Sequence, residues 1–271
     1  MESRTGIIPR PLNAVVIGSG NVASAIVPAL ESAGAIRVSQ IYSPTLSHAR
    51  ALADKLSAAV AVCDPASVSR GADLYLVAVK DDVISSLATP FKDYGGVWLH
   101  TSGGVECSVM EPITADYGVL YPLQTFSKGR EVDLSQIPVF VEGATPRAIE
   151  TSRFLAQAIS PKVYDADGTT RSRLHAAAVF ACNFTNHLWA IADDILRREA
   201  AADLSVLAPL IRETVDKALS SPPAMGQTGP AVRGDRKVID HHKSLLNARE
   251  AELYEILSSS IIHYHNECDR L

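Results

Sequence analysis

Short apolar runs alternate with amphipathic stretches through the first 165 or so residues, and the alternation then stops. Buried strands are expected at 13–18, 37–43, 59–64, 72–80 and 95–103, with two more at 136–143 and 162–167. Helical periodicity falls between them, at 27–36, 46–59, 81–91 and 146–159. Strands that alternate with helices form a parallel sheet covered on both faces. From 169 to 201 neither Gly nor Pro interrupts a helical pattern, and further helices are expected at 204–219, 236–246 and 250–265. Residues 220–235 form a Pro/Gly-rich break. The expected fold is an α/β Rossmann-type doubly wound parallel sheet (11–166) followed by an all-α C-terminal domain (167–271), with a tail at 1–10.

The first strand runs into Gly18-Ser19-Gly20-Asn21-Val22-Ala23, a GxGxxA turn that opens a helix. In this context the first glycine allows the tight turn. The second lets backbone approach a pyrophosphate, and the alanine lets helix and strand pack closely. Free N–H groups at the helix start favour phosphate. Gly18, Ser19, Gly20, Asn21 and Val22 are thus cofactor-binding candidates. The second strand ends in Tyr42-Ser43-Pro44-Thr45, without the acid that would accept the ribose hydroxyls of NAD. Ser43 and Thr45 can donate to a 2′-phosphate, so NADP is the expected cofactor. His48 and Arg50 are candidate cations one turn on.

Ligands in such sheets lie beyond the carboxyl ends of the strands. Val79 and Lys80 close one strand there, and His100-Thr101-Ser102-Gly103-Gly104 close the next. Val79, Lys80, Thr101 and Ser102 are expected against the cofactor and His100 against substrate. The stretch Tyr121-Pro122-Leu123-Gln124-Thr125-Phe126-Ser127-Lys128 reads as an ordered loop, with Gln124 and Thr125 as substrate contacts. On a continuous α-helix, His175, Cys182, Asn183, Asn186 and His187 project within an arc of roughly 140°. Among apolar neighbours such a stripe lines a polar cavity or meets water. His175 or His187 would donate a proton as hydride arrives, while Asn183 and Asn186 orient the substrate. Gln227, Thr228 and Arg233 lie in the Gly-rich break before a helix and could hold an anionic group.

Composition narrows the classes further. The formal net charge of -5 gives no basic surplus for nucleic acid, and no apolar run is long enough for a bilayer. The four cysteines are scattered without a CxxC pair, so neither a disulfide framework nor structural zinc is expected. The N-terminus lacks an apolar leader, and a cytoplasmic location is expected. Asp240-His241-His242, with His263 and His265, suggests a metal phosphoesterase only weakly, because no Asp-x-Asp accompanies them. Apolar positions such as Leu188, Ile191, Leu204, Leu207, Leu210 and Ile211 serve a core or a homodimer through the helical domain.

Taken together, GSGNVA, HTSG, YPLQTFSK, LHAAAVFACNFTNHL and QTGPAVR resemble a bacterial family with a Rossmann-like domain and a helical C-terminal domain. Its members are described as NADP oxidoreductases of the deazaflavin-dependent type. The resemblance spans about residues 12–262 and extends, more weakly, to pyrroline-5-carboxylate reductase, ketopantoate reductase and the 3-hydroxyacid dehydrogenases. Some of those carry catalytic Lys and Asn on the first long helix after the nucleotide domain. Here Asn183 and Asn186 occupy such a helix, with His175 and His187 and no Lys among them. Many family members carry Ser-Arg-Thr after the second strand, where this chain has Ser43-Pro44-Thr45. The resemblance implies hydride transfer between NADP and a small carbonyl or imine held between the two domains. The missing Lys leaves a non-catalytic NADP-binding or redox-sensing protein as the alternative.

Overall fold

A computed structural model describes residues 11–268, the side chains of His265 to Cys268 excepted. The tail expected at 1–10 lies outside the described residues. Eight strands form one sheet in the order β3-β2-β1-β4-β5-β6-β7-β8: β1 (Leu12–Ile17), β2 (Ile36–Tyr42), β3 (Val60–Val62), β4 (Leu74–Val77), β5 (Val97–His100), β6 (Tyr117–Pro122), β7 (Val139–Gly143) and β8 (Val163–Asp165). The first six are mutually parallel in the Rossmann order, so the chain reverses its winding between β1 and β4. β7 runs antiparallel to β6, and β8 parallel to β7. The expectation of an all-parallel sheet is corrected at that edge.

Helices α1 (Asn21–Ser32), α2 (Leu46–Ala53), α3 (Asp81–Ile84) and α4 (Pro146–Ile159) connect the strands. α4 matches its expected bounds because Thr145 caps it, accepting from Ala148 N at 3.2 Å, and Pro146 fixes the first turn. α2 and α3 are shorter than expected, and Ser85–Ala88 continues α3 as a 3-10 turn. β6 was not expected as a strand. Its sequence, YGVLYP, has a short apolar run between a glycine and a proline and too little length to mark a strand.

Apolar residues fill both faces of the sheet. Val16, Ile26, Leu30, Leu74 and Leu155 pack in the layer beside α1 and α4. The other layer centres on Tyr75, Phe91, Tyr94 and Trp98, with Tyr75 stacked on Trp98 at a centroid distance of 4.4 Å. Burial of this apolar area is the main stabilising term for the sheet.

The helical stretch after β8 is not continuous. α5 (Gly168–Ala178) passes into a π-helical segment, Val179–Phe184, and then α6 (Thr185–Glu199). A π turn carries extra residues, so the helical arc computed from His175 to His187 does not hold across it. The chain divides into two compact units inside this segment, up to Ala181 and from Cys182, rather than at 166. α5 belongs to the sheet unit because Arg171 ties it there: its guanidinium pairs with Glu142 of β7 and donates to Val105 O.

The second unit contains α6, α7 (Ala208–Ser220), α8 (Arg236–Ser244) and α9 (Ala248–Cys268). α6 and α7 have no buried residue, and Ala231, Ile239 and Ser258 are the only buried residues of this unit among those described. Arg198 pairs with Glu250, and Lys243 with Glu255, within this unit. Among the described residues no helix is long and apolar enough to cross a membrane.

Candidate active site

The glycine turn sits where the winding reverses. Gly18 has φ +107°, and a β carbon there would collide with the Ala78 carbonyl and lie 2.9 Å from Val79 Cγ1. Gly18 N donates to Tyr42 O, and Ala78 N to Ile17 O, so the ends of β1, β2 and β4 are locked together. Gly20 is different. Its φ is -76°, and a β carbon there would meet nothing within 4 Å. It also starts α1 with no side-chain cap and no acid in the first turn. Open space above uncapped N–H groups, with no repelling carboxylate, fits a pyrophosphate. Asn21 Nδ2 donates to Phe126 O at 3.0 Å, tying this turn to the loop after β6.

Beyond β2, Ser43 is buried, whereas Thr45 is exposed and starts α2 without using its hydroxyl as a cap. No acid stands in the first turn of α2. The acid nearest this edge, Asp64, caps Ala66 N at 2.9 Å, and it contributes after burial to raising the Tyr42 phenol.

The turn after β5 is built largely from buried polar residues. His100 is fully buried, and Thr101 and Ser102 are buried beside it. Their polar atoms serve the turn. His100 Nδ1 accepts from Ser102 N at 3.2 Å, Thr101 Oγ1 donates to Val77 O, and Ser102 Oγ accepts from Gly104 N and Val105 N, both at 3.1 Å. A turn leaving a buried strand must satisfy its own N–H groups, and these short side chains do so. Burial, and then the Arg171 charge, push the His100 imidazole down to about 3, so it is neutral. Its Nε2 has no hydrogen-bond partner among the described residues.

What this turn presents is Gly103 and Gly104. A β carbon on Gly103 would lie 2.6 Å from Tyr121 Cζ and 2.9 Å from His175 Cβ. A β carbon on Gly104 would stand at ordinary contact distance from both Asp81 Oδ2, 3.7 Å, and His175 Cδ2, 3.9 Å. Tyr121 Oη and His175 Nδ1 are 3.0 Å apart. Burial, then the Asp81 charge, push the Tyr121 phenol up to about 12. Asp81, Gly104, Tyr121 and His175 therefore converge at the carboxyl ends of β4, β5 and β6. Asp81 and Tyr121 were not expected as functional residues. Tyr121 ends a strand whose pattern is weak, and Asp81 reads as an ordinary acid in a first helical turn.

Lys80 is exposed at the start of α3, and Val79 flanks Gly18. Gln124 Oε1 accepts from Thr125 N and Oγ1 within its own loop. Asn183, Asn186 and His187 are exposed in the second unit. Asn186 lines a cavity of about 300 Å³ with Trp189, Asp193, Arg197 and Asp203. Gln227 Nε2 donates to Thr228 O, and Arg233 is exposed nearby. The helix start expected to hold an anion there is already capped by a carboxylate, Asp235, which accepts from Val238 N at 3.3 Å. Among the described residues no group of three or more His, Cys, Asp or Glu is placed to hold a metal ion. His242 Nδ1 instead meets Tyr254 Oη at 2.9 Å, and the His265 side chain lies outside the described residues.

A sheet of this order with an uncapped glycine turn at its reversal is the architecture of a dinucleotide-binding domain. Residues 13–96 match the family model "NADP oxidoreductase coenzyme F420-dependent", and residues 137–261 match a domain of unknown function, DUF2520. A Bacteroides fragilis protein described as a "putative NADP oxidoreductase" is 39% identical over 93% of this chain and 98% of its own, with a TM-score of 0.87. The chain belongs to the same family of oxidoreductases, as its motifs suggested. A reductive aminase from Aspergillus terreus, in complex with NADPH and ethyl levulinate, shares the fold at 12% identity, covering 94% of each chain with a TM-score of 0.66. So does 1-pyrroline-5-carboxylate reductase from Streptococcus pyogenes, at 13% identity over 93% of this chain and 98% of the other, with a TM-score of 0.57. No curated protein matches the chain.

Proposed function

We propose that the protein is an NADP-dependent oxidoreductase that moves hydride between the nicotinamide and a small carbonyl or imine, with His175 supplying the proton. The observation that carries this reading is the space over Gly104. An atom there sits at contact distance from the His175 ring and the Asp81 carboxylate together. A reacting oxygen or nitrogen bound over Gly104 would lie beside the Cδ2–Nε2 edge of that ring, which is where a proton donor has to be.

Gly18, Gly20 and the start of α1 would hold the pyrophosphate. Ser43 and Thr45, with no acid in the first turn of α2, support a 2′-phosphate there. NADPH, when bound, supplies the hydride. His175 then gives its proton to a carbonyl oxygen as charge develops there, or to a neutral imine nitrogen before the hydride arrives, since a protonated imine becomes the amine without a further proton. Asp81 favours a substrate that is cationic at the reacting atom, which a protonated imine is and a ketone is not. The match to a model named for coenzyme F420 makes the choice of nucleotide worth direct measurement.

The test is a titration of the protein with NADPH, NADH and reduced F420, followed by turnover on a panel of ketones and cyclic imines. Tight NADPH binding with imine turnover supports the reading. Preference for NADH removes the 2′-phosphate assignment, and binding without turnover on any substrate leaves a nucleotide-binding protein.

We also propose a homodimer through the helical unit. The support is the near absence of buried residues in α6 and α7, together with the exposure of Leu188, Leu210, Val215 and Leu219. Helices that expose several large apolar side chains and bury none can cover them against a second copy. A monomeric mass in light scattering would reject it.

A further inference from the structure

We infer that Tyr121 is a positioning residue for His175: its part-buried hydroxyl donates to Nδ1, so the imidazole carries its proton on Nε2, along the ring edge that faces Gly104. The argument begins with what the phenol can do. Tyr121 is buried at the end of β6, and its only hydrogen-bond partner among the described residues is His175 Nδ1, at 3.0 Å. A buried O–H needs an acceptor. If Nδ1 carried a proton it would donate to Tyr121 Oη, and the phenol proton would have no acceptor. With Nδ1 bare, both groups are satisfied, and a neutral imidazole then has its hydrogen on Nε2. With the phenol pushed up to about 12, Tyr121 keeps its proton throughout the neutral range and remains a donor.

The orientation follows from the same contacts. The carbon of His175 that approaches the space over Gly104 is Cδ2, the neighbour of Nε2 in the ring. Holding Nδ1 on Tyr121 therefore turns the Cδ2–Nε2 edge toward that space. Both partners are fixed from behind. Tyr121 pairs with Phe140 in the β6–β7 ladder, and α5 is anchored by Arg171 on Glu142 and Val105 O. Gly103 is what lets them close, since any side chain there would strike both. The charged groups about the pair are Asp81, from α3, and Arg171, which Glu142 neutralises.

The tautomer stands apart from the proposed reaction; neutral, the ring donates a hydrogen bond from Nε2–H, and to give that proton up in the reaction it must first take a second one from solvent. The test is a long-range proton–nitrogen correlation spectrum of protein carrying isotope-labelled histidine, with His175 assigned by loss of its signals in His175→Gln. The expected result, at a pH where the ring is neutral, is a single Nε2–H tautomer whose bare Nδ1 is shifted by an accepted hydrogen bond. In Tyr121→Phe that shift is lost and Nδ1–H appears. A wild-type Nδ1–H tautomer overturns the inference by itself, even if the variant does not fold. An unchanged tautomer in a folded Tyr121→Phe protein overturns it too. Failure of NADPH to bind would sink the reaction proposed above and leave this result untouched.

Discussion

Gly18 and Ala78 stand so close that a β carbon on Gly18 would lie 2.7 Å from the Ala78 carbonyl carbon. Two strands that are far apart in sequence meet at this point, and the approach is what brings the glycine turn beside the end of β4. Gly18 also has a positive φ, so a side chain there is penalised twice. Gly20 has neither constraint. Gly18→Ala should therefore lose stability, by about 1–3 kcal/mol or more. Gly20→Ala should melt like the wild type yet bind NADPH weakly, because its methyl group enters the space expected for the pyrophosphate. Thermal melts with and without NADPH check both, and a Gly20→Ala protein with full NADPH affinity would contradict the cofactor assignment.

The buried neutral His100 makes stability depend on acid. Its folded value is about 3 against an ordinary 6.5, first through burial and then through the charge of Arg171. Between those two pH values the unfolded chain binds a proton that the folded one refuses. The contribution is complete above pH 6.5 and falls as pH drops toward 3, by up to about 1.4 kcal/mol per unit. His100→Asn keeps an acceptor for Ser102 N and cannot titrate. Denaturant unfolding at several pH values should show a flatter acid limb for the variant, and identical slopes would refute the buried neutral histidine.

Much of the architecture was legible because the chain obeys two strong local rules. The strand–glycine–helix signature at 15–23 has a fixed geometry, and Thr145-Pro146 opens α4 where capping chemistry says it should. What escaped reading depends on pairing distant in sequence. β6 forms because β5 and β7 flank it, and its own residues carry little periodicity. The π segment at Val179–Phe184 has no compositional mark, so a helical wheel drawn through it puts His175 and His187 on one face by false arithmetic. His175 was visible as a candidate. Its partner Tyr121 and the facing Asp81 were not, because they meet it across the sheet edge. His100 drew attention through an unusual cluster at a strand end, and that cluster turned out to build the turn.

Arg171 and Glu142 hold α5 against the sheet. The Arg171 side chain is 1% exposed and that of Glu142 is 20% exposed. Glu142 also accepts from Cys107 Sγ at 3.2 Å, which raises the thiol, after burial, to about 12. Removing one partner strands a buried charge. Glu142→Gln or Arg171→Met should each cost on the order of 3–5 kcal/mol. The double variant Arg171→Met, Glu142→Gln should cost less than the sum, since no uncompensated charge remains. Urea unfolding of the four proteins gives the coupling, and strictly additive losses would mean the pair is not a unit.

Gly104 separates a catalytic edge from a merely nucleotide-binding one. A methyl group there meets Asp81 Oδ2 at 3.7 Å and His175 Cδ2 at 3.9 Å, both ordinary contacts. Gly104→Ala should therefore fold and keep its affinity for NADPH, because nothing in the glycine turn at Gly18 and Gly20 is touched. Its turnover should fall sharply, by a hundredfold or so, the usual scale for a displaced general acid. His175→Gln should fall by a similar factor at unchanged NADPH affinity, while His187→Gln keeps its rate. Kinetics on whichever imine or carbonyl the panel identifies, alongside NADPH titrations, provide the comparison. If Gly104→Ala turns over at the wild-type rate, the space above it is not where the substrate reacts. Equal rates for His175→Gln and wild type would take the proton donor away from α5 altogether.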